Sequence, residues 1–372
     1  MRHLVISAAA LLMMSGGCLK RMEMIAVFPD ESIRYITQIE GDPDDLLQGD
    51  AMPSVESGWK VRDETKQEDN KDQLIRVATR RAGPRQSQPA TYAPGGGALE
   101  AVALRFPTSL TVEQREDGRY YHFKRTYKAR GLARIEHLRS ELFKDDAIKQ
   151  IQEKSPEELT DEERTKLAGV LIEFEAAITE DFLDQAFQTP GVELAQDHFL
   201  IVRSNVRSIY NDPQFPAQLV SAMQNHEGQE ATDVALLDME MELTERVNQT
   251  IEKTLREKRV NPTKIEKFRE VYERARWSYQ VSQDLSDEHW FVGVFMPGTI
   301  VATNGQHVED TPAKMLENMD ESDPVETRDL LIDLDRADFK PGFSAVSWDF
   351  EGKDVADRDV AIMVTSFVPA KQ

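Results

Sequence analysis

The spacing of apolar positions changes period twice along the chain. From Arg21 to Phe28 and from Ile33 to Ile39 the apolar residues form short strand-like runs, with Pro29-Asp30-Glu31-Ser32 between them as a turn. This predicts a hairpin. Trp59 to Arg62 alternates, charge takes over through Asp72, and Leu74 to Ala78 resumes a strand. Gly83 to Gly97, rich in Pro, Gly, Ser and Gln, predicts an exposed loop. Val102 to Phe106 and Leu110 to Val112 read as strands. Asp117-Gly118 supplies the positive-φ pair of a tight hairpin ahead of Arg119 to Tyr127. In that second arm Tyr121, Phe123, Arg125 and Tyr127 share one face at period two, and Tyr120, His122 and Lys124 share the other.

From about Leu132 to Asp284 the spacing becomes helical. Thr160 with Glu163 makes a capping box. Leu167, Val170, Leu171, Phe174, Ile178, Phe182 and Phe187 then follow the three-and-four spacing of a buried helical face, broken at Thr189-Pro190-Gly191. Leu194, Phe199, Val202, Val206 and Ile209 predict another helix, stopped by Asn211-Asp212-Pro213, and Pro216 to Asn225 gives a short one. Asp233 to Arg259 reads as a long helix with Val234, Leu237, Met241, Thr244, Asn248, Ile251 and Leu255 on its inner seam. Pro262 suits the first turn of the next, whose apolar face is Ile265, Phe268, Tyr272, Ala275 and Tyr279. Thr244 and Asn248 on the seam favour antiparallel packing within a domain over a coiled coil.

At Trp290 the period returns to two. Trp290 to Thr303 is strand with a break at Pro297-Gly298, Asn304-Gly305 is a hairpin signal, Glu309 to Asp329 is a loop or short helix, and Ser344 to Phe350 and Val360 to Val368 are strands. Short strand sets at the two ends cannot each bury a core of their own. The expectation is therefore an α+β fold, with an antiparallel sheet formed by N- and C-terminal strands and a large all-helical insertion. Its parts are residues 1–17, a signal peptide; 18–131, an N-terminal β part; 132–285, the helical insertion; and 286–372, a C-terminal β part that completes the sheet.

The first eighteen residues change what this architecture is for. Arg2 and His3 are followed by an apolar run from Leu4 to Met14, then Ser15-Gly16-Gly17 and Cys18, the chain's sole cysteine. This is the layout of a secretory signal. The run is about 11 residues, where a membrane-spanning helix needs roughly 20. Small residues before a thiol resemble the lipobox of bacterial lipoproteins, with Ser15 where that pattern usually has Leu. The resemblance implies processing at Cys18 and acylation of its sulfur. It also implies a membrane partner held through the lipid and a place in the bacterial cell envelope. Leu19, rather than Asp, after the cysteine implies the outer membrane, facing the periplasm. With one cysteine, no disulfide framework exists.

Charge narrows the partners. The chain carries a net charge of -22 and repels phosphate backbones, so no nucleic-acid partner is expected. Against that background Arg115, Arg119, Lys124, Arg125 and Lys128 form a local basic patch. It reads either as an anion or lipid-headgroup surface or as a hairpin whose cations offset acidic helices. The acidic turn Asp42-Pro43-Asp44-Asp45 matches no calcium loop, and Gly95-Gly96-Gly97 lacks the lysine of a phosphate loop. The seven histidines are scattered and make no HExxH zinc helix, and no G-x-S-x-G elbow is present. Glu173 with Glu175, or Glu180 with Asp184, would pair in a cleft if the helices formed one; acidic helices make such pairs by chance, and a solvated face is the simpler account. No cofactor and no metal is expected.

Met296 to Gly305 (MPGTIVATNG), then Ala345-Val346-Ser347-Trp348-Asp349-Phe350, then the last strand with Ser366, resemble the LppM-type envelope lipoprotein domain. In that family a strand ending in an Asn-Gly turn precedes a Val-x-Trp strand. The early strand pair after Cys18 fits as well, while the helical block lies outside the family's core pattern. The resemblance spans about a third of the chain. It implies an extracytoplasmic α+β domain that binds lipid or glycolipid, and it brings no catalytic residues. The expected role is thus a lipid-anchored, non-enzymatic binding or scaffolding protein with an envelope protein or lipid as partner. A carrier of an amphiphile in a sheet-helix groove is the alternative, and a hydrolase assembled from distant residues a further one.

Overall fold

A computed structural model describes residues 20–41, 51–68, 71–95, 102–152, 154, 158–224, 229–286, 288–308, 325–336 and 342–370. The fold is α+β, with strands from both ends of the chain and a helical block between them in sequence. The chain divides into two compact units. Leu132–Gln280 is helical, and Gly17–Gly131 with Val281–Gln372 holds the strands.

In the strand unit β1 (Lys20–Val27) and β2 (Ile33–Gly41) make the expected antiparallel hairpin. β3 (Lys60–Glu68) and β4 (Lys71–Ala82) extend it, so the strand continues through the charged stretch that alternation alone leaves open. Cross-strand pairing tolerates those charges because they are matched, as where Asp63 takes two hydrogen bonds from Arg76 at 2.7 and 2.6 Å. β7 (His289–Pro297) joins β1 in parallel, and β10 (Phe343–Glu351) and β9 (Gln306–Val308) complete a seven-stranded sheet in the order β3-β4-β2-β1-β7-β10-β9. The parallel β1–β7 seam is where the two ends of the chain meet.

The sequence suggests one shared sheet; the structure has two. β5 (Thr108–Arg115), β6 (Gly118–Tyr127), β11 (Val360–Pro369) and β8 (Thr299–Thr303) form a second, four-stranded sheet that again mixes both ends. Two corrections explain the split. Pro297-Gly298 is a crossover that carries the chain from β7 in the larger sheet to β8 in the smaller. Asn304-Gly305 is a crossing back, not a hairpin, since β8 pairs with β11 and β9 with β10. Val102 to Phe106 is also not a strand. It is buried coil, tied by Phe106 N–H donating to the Ala90 carbonyl at 2.8 Å. The segment from Gly83 is likewise not wholly exposed, because Tyr92 is 1% accessible.

The two sheets share an apolar core that draws Ile25, Val27, Trp290 and Val294 from one and Tyr121, Phe123, Ile362 and Val364 from the other. Completely burying an aliphatic or aromatic side chain contributes about 1.5–3 kcal/mol. The larger sheet buries its other face as well. Met24, Ala26, Ile36 and Phe295 pack there against Leu330, Leu331 and Leu334 of a helix over Val325–Asp335. The acidic turn at residues 42–45, Gly96-Gly97 and residues 309–324 lie outside the described residues.

In the helical unit the elements are α1 (Ala133–Leu142), α2 (Asp146–Gln152), α3 (Asp161–Gln188), α4 (Gln196–Tyr210), α5 (Gln214–Gln224), α6 (Gln229–Glu257) and α7 (Pro262–Ser286), the last running past the unit's end at Gln280. The helix at Val325–Asp335 is α8, and Asp354–Asp357 is a single turn, α9. The capping box forms as expected, with Thr160 and Glu163 satisfying each other's backbone N–H groups. Asn261 Oδ1 accepts from Thr263 N–H at 2.9 Å and starts α7 at Pro262. In α6 Ile251 and Leu255 of the expected seam are buried, Val234 and Leu237 lie among side chains outside the description, and Met241 is displaced from the inner face. Met239, Leu243, Val247, Ile251 and Leu255 are buried, four residues apart, while Met241 is 52% exposed.

Candidate functional site

Cys18 and the apolar run before it lie outside the described residues, and β1 begins at Lys20. Among the described residues no helix is long and apolar enough to cross a membrane.

The basic patch does not hold together as one surface. Arg115 is exposed and donates to Glu113 at 2.7 Å. Arg119 donates to Glu31 at 2.7 Å and to the Pro29 carbonyl at 2.9 Å, which ties the β5–β6 hairpin to the β1–β2 turn. Lys128 pairs with Asp359 at 2.6 Å. Lys124 is exposed. Arg125 contradicts the surface reading outright. It lies on the inward face with Tyr121 and Phe123 and is 1% exposed. Period two places it there, and a charge can occupy that position only because an opposite charge faces it from the other sheet.

That partner is Glu23 of β1. Its Oε2 accepts from Arg125 Nη2 at 2.8 Å and from the Tyr127 hydroxyl at 2.7 Å, and its Oε1 accepts from the Tyr92 hydroxyl. Tyr92 in turn meets Thr37 Oγ1 at 3.2 Å, and Arg125 Nε donates to Tyr127 Oη at 3.1 Å. The Arg125 guanidinium lies 4.0 Å from the centroid of the Phe106 ring. Burial pushes the phenols of Tyr35, Tyr92 and Tyr127 above their ordinary range, with the Glu23 charge adding to the effect. Burial opposes the Arg125 charge most strongly, but Glu23 together with Tyr127, Tyr92 and Tyr35 outweighs it and raises the guanidinium above its ordinary value. Nearby, Arg21 donates to Glu288 at 2.7 Å and lies over the Trp290 ring at 4.4 Å. The network is an electrostatic clasp between two sheets. Its alternation signal, Arg21 and Glu23 in phase with Ile25 and Val27, was present in the sequence, but no single-sequence pattern pairs Glu23 with Arg125.

One constellation outside the clasp has the residue types of nucleophilic catalysis. On the outer face of the smaller sheet His122 Nδ1 meets Thr365 Oγ1 at 3.1 Å, and His122 Nε2 lies 3.7 Å from Glu113 Oε2. The second distance is beyond a hydrogen bond. Arg115 already occupies that carboxylate oxygen at 2.7 Å and holds Glu113 below the usual carboxylate range. The imidazole is therefore not oriented by the carboxylate in the way a triad requires.

In the helical unit the paired carboxylates are neutralised. Glu180 and Asp184 receive Arg203 at 2.6 and 3.4 Å, Glu173 receives Arg207, and Asp181 receives Arg134 at 2.9 Å. A cavity of about 50 Å³ lies between α3, α4, α5, α6 and α7. Its walls include Leu171, Phe182, Leu243 and Val247, and at one side Thr179 Oγ1 and the Tyr210 hydroxyl share a hydrogen bond of 2.7 Å. A cavity that admits benzene is about 150 Å³, so this one has no room for an acyl chain. Among the described residues no group of three or more His, Cys, Asp or Glu is placed to hold a metal ion.

Asn304, at the crossing from β8 to β9, has a structural use. Its Oδ1 accepts from Trp348 Nε1 at 3.2 Å and from Met363 N–H at 2.9 Å, and its Nδ2 donates to the Ala361 carbonyl at 2.7 Å. It fastens β10 of one sheet to β11 of the other. Comparison with protein-family models, curated proteins and solved structures finds no match.

Proposed function

We propose that the protein is a lipid-anchored lipoprotein of the bacterial cell envelope, acylated at Cys18, with a non-enzymatic binding or scaffolding role at the membrane. The observation that carries this reading is the arrangement of residues 1–18: a short positive start, an apolar run too short to span a bilayer, small residues, and the chain's sole cysteine. A single acyl chain holds a protein only marginally, so stable anchoring calls for several chains on the same amino terminus. The net charge of -22 supports the same division of labour, since an acidic surface gains little from anionic headgroups and leaves attachment to the lipid. β1 starts at Lys20, two residues beyond Cys18, which supports a short tether. The LppM-type resemblance of Met296–Gly305 and Ala345–Phe350 supports an extracytoplasmic domain.

The carrier reading gains nothing from the cavity between α3 and α7, which is too small for an acyl chain. The test is mass spectrometry of the amino-terminal peptide from lipid-extracted membrane fractions, comparing wild type with Cys18→Ala. The expected result is a wild-type peptide that begins at Cys18 and carries acyl mass, with loss of membrane retention in the variant. A wild-type amino terminus without acyl mass would remove the reading.

A further inference from the structure

The sheet edges differ in how they are guarded. β3, one edge of the larger sheet, carries Lys60, Arg62, Asp63, Glu64, Lys66 and Glu68, and charges of this density discourage pairing with another chain. The opposite edge, β9, is three residues long, and β8 at one edge of the smaller sheet is five. β5, at the other edge of the smaller sheet, is different. It is eight residues long and opens Thr108-Ser109-Leu110-Thr111-Val112 without a charge or a proline, and among the described residues it is paired with β6 alone. Leu110 and Val112 point toward the shared core and remain partly exposed at its margin.

We propose that β5 is a dimerisation edge, occupied antiparallel by β5 of a second copy of this chain. The strand is self-complementary in one register. With Thr111 opposite Thr111 on the two-fold axis, Leu110 faces Val112 of the second copy, and Ser109 faces Glu113. Apolar side chains then meet on the core side and polar ones on the solvent side, and no like charges stand opposite one another. The two smaller sheets merge into one continuous sheet, and the half-covered Leu110 and Val112 gain cover. Registers shifted by two residues lose this match, since one sets Leu110 against Gln114 and the other sets Val112 against Thr108. The pairing does not depend on the lipid anchor.

The test is analytical ultracentrifugation of the full chain over a concentration series, with Thr111→Lys as the variant. Thr111 is exposed, and lysine there sets two cations face to face on the axis. The expected result is a wild-type dimer whose dissociation constant rises at least about tenfold in the variant, with far-UV circular dichroism unchanged and a melting temperature that no longer climbs with protein concentration. As a second readout, Thr111→Cys in a Cys18→Ser background should close an intersubunit disulfide, because directly opposed strand residues sit about 4.5–5.5 Å apart at Cα. Cysteine at Thr65 on β3 should not. A wild-type chain that stays monomeric at every concentration overturns the proposal, and so does a dimer that Thr111→Lys leaves intact. If Thr111→Lys fails to fold, the cross-link decides alone: a dimer without a Thr111→Cys disulfide overturns it.

Discussion

Glu23 and Arg125 are each almost entirely buried, 2% and 1% exposed at the side chain, and they belong to different sheets. Removing both charges from water is costly, and their mutual attraction offsets that cost only because the surrounding hydroxyls satisfy the remaining lone pairs. A pair of this kind contributes little net stability but makes each partner indispensable to the other. Glu23→Gln keeps the shape and an acceptor oxygen for Tyr127 while leaving the guanidinium uncompensated. The expected loss is about 3–5 kcal/mol in chemical denaturation; a loss below about 1 kcal/mol would mean that Arg125 finds another anion or water. Gly305 poses a steric version of the same dependence. A Cβ there would lie 2.4 Å from Trp348 Cε2, yet its φ is not in the left-handed region, so close approach rather than backbone freedom requires the glycine. Gly305→Ala should cost about 1–3 kcal/mol, measured by the same denaturation. Tryptophan fluorescence should shift as Trp348 is displaced from Asn304.

Helix α3 shows how far local chemistry reaches. Its capping box is legible in four residues and forms as read. Thr160→Ala should cost about 0.5–2 kcal/mol, checked by thermal unfolding. Lys154, and then the Thr160 backbone N–H, hold Glu163 down to about 2, below its ordinary value of 4.5. A carboxyl depressed in the folded state contributes stability that is fully present above its unfolded value and is lost as pH falls through the folded one. The advantage in melting temperature of wild type over Glu163→Gln should therefore shrink between about pH 4.5 and 2, and a constant gap would show that the charge is not what Glu163 supplies. Elements whose identity is set by nearest neighbours were readable in this way: the β1–β2 hairpin, the inward face of β6 and the start of α7. Partners were not. Asn304-Gly305 has hairpin composition, but Gln306 to Val308 pairs with β10, a choice made by packing more than thirty residues away. At Asp117-Gly118 the hairpin forms, but Arg115 opposes Gly118, so Glu116-Asp117 is the loop. Gly118 takes a φ of +155°, where a Cβ would meet the Val368 carbonyl oxygen at 2.1 Å. In α6 Ile251 and Leu255 of the seam are buried as expected, but Met241 and Leu243 are both apolar, and only the neighbouring helices select Leu243. Arg125 drops out of the basic patch for a related reason: composition counts charges without regard to the side of the strand they occupy, and period two puts this one inside.

The strand unit is discontinuous in sequence, and its two segments meet through structure internal to it. β1 pairs with β7 in parallel over seven residues, β6 pairs with β11 over ten, and the smaller sheet depends on both segments as fully as the larger does. The points where the chain leaves and re-enters the unit are held together. Arg130 Nε donates to Ser282 Oγ at 2.8 Å, and Arg130 N–H donates to the Val355 carbonyl at 2.8 Å. Closing a short loop between such points costs little, because closure entropy grows only slowly with length. Replacing Leu132–Gln280 with a short Gly/Ser linker should therefore leave a chain that still folds. Its far-UV circular dichroism should be dominated by strand, it should unfold in one cooperative transition, and Glu23→Gln should destabilise it by about as much as it does the full chain, about 3–5 kcal/mol. The last comparison separates folding from collapse, since a compact but disordered chain would lose the Glu23–Arg125 pairing and show no sensitivity to the substitution. An excised chain that aggregates or melts without cooperativity would instead assign the helical segment a necessary part in assembling the sheets. The insertion would then be a folding component, not an excursion.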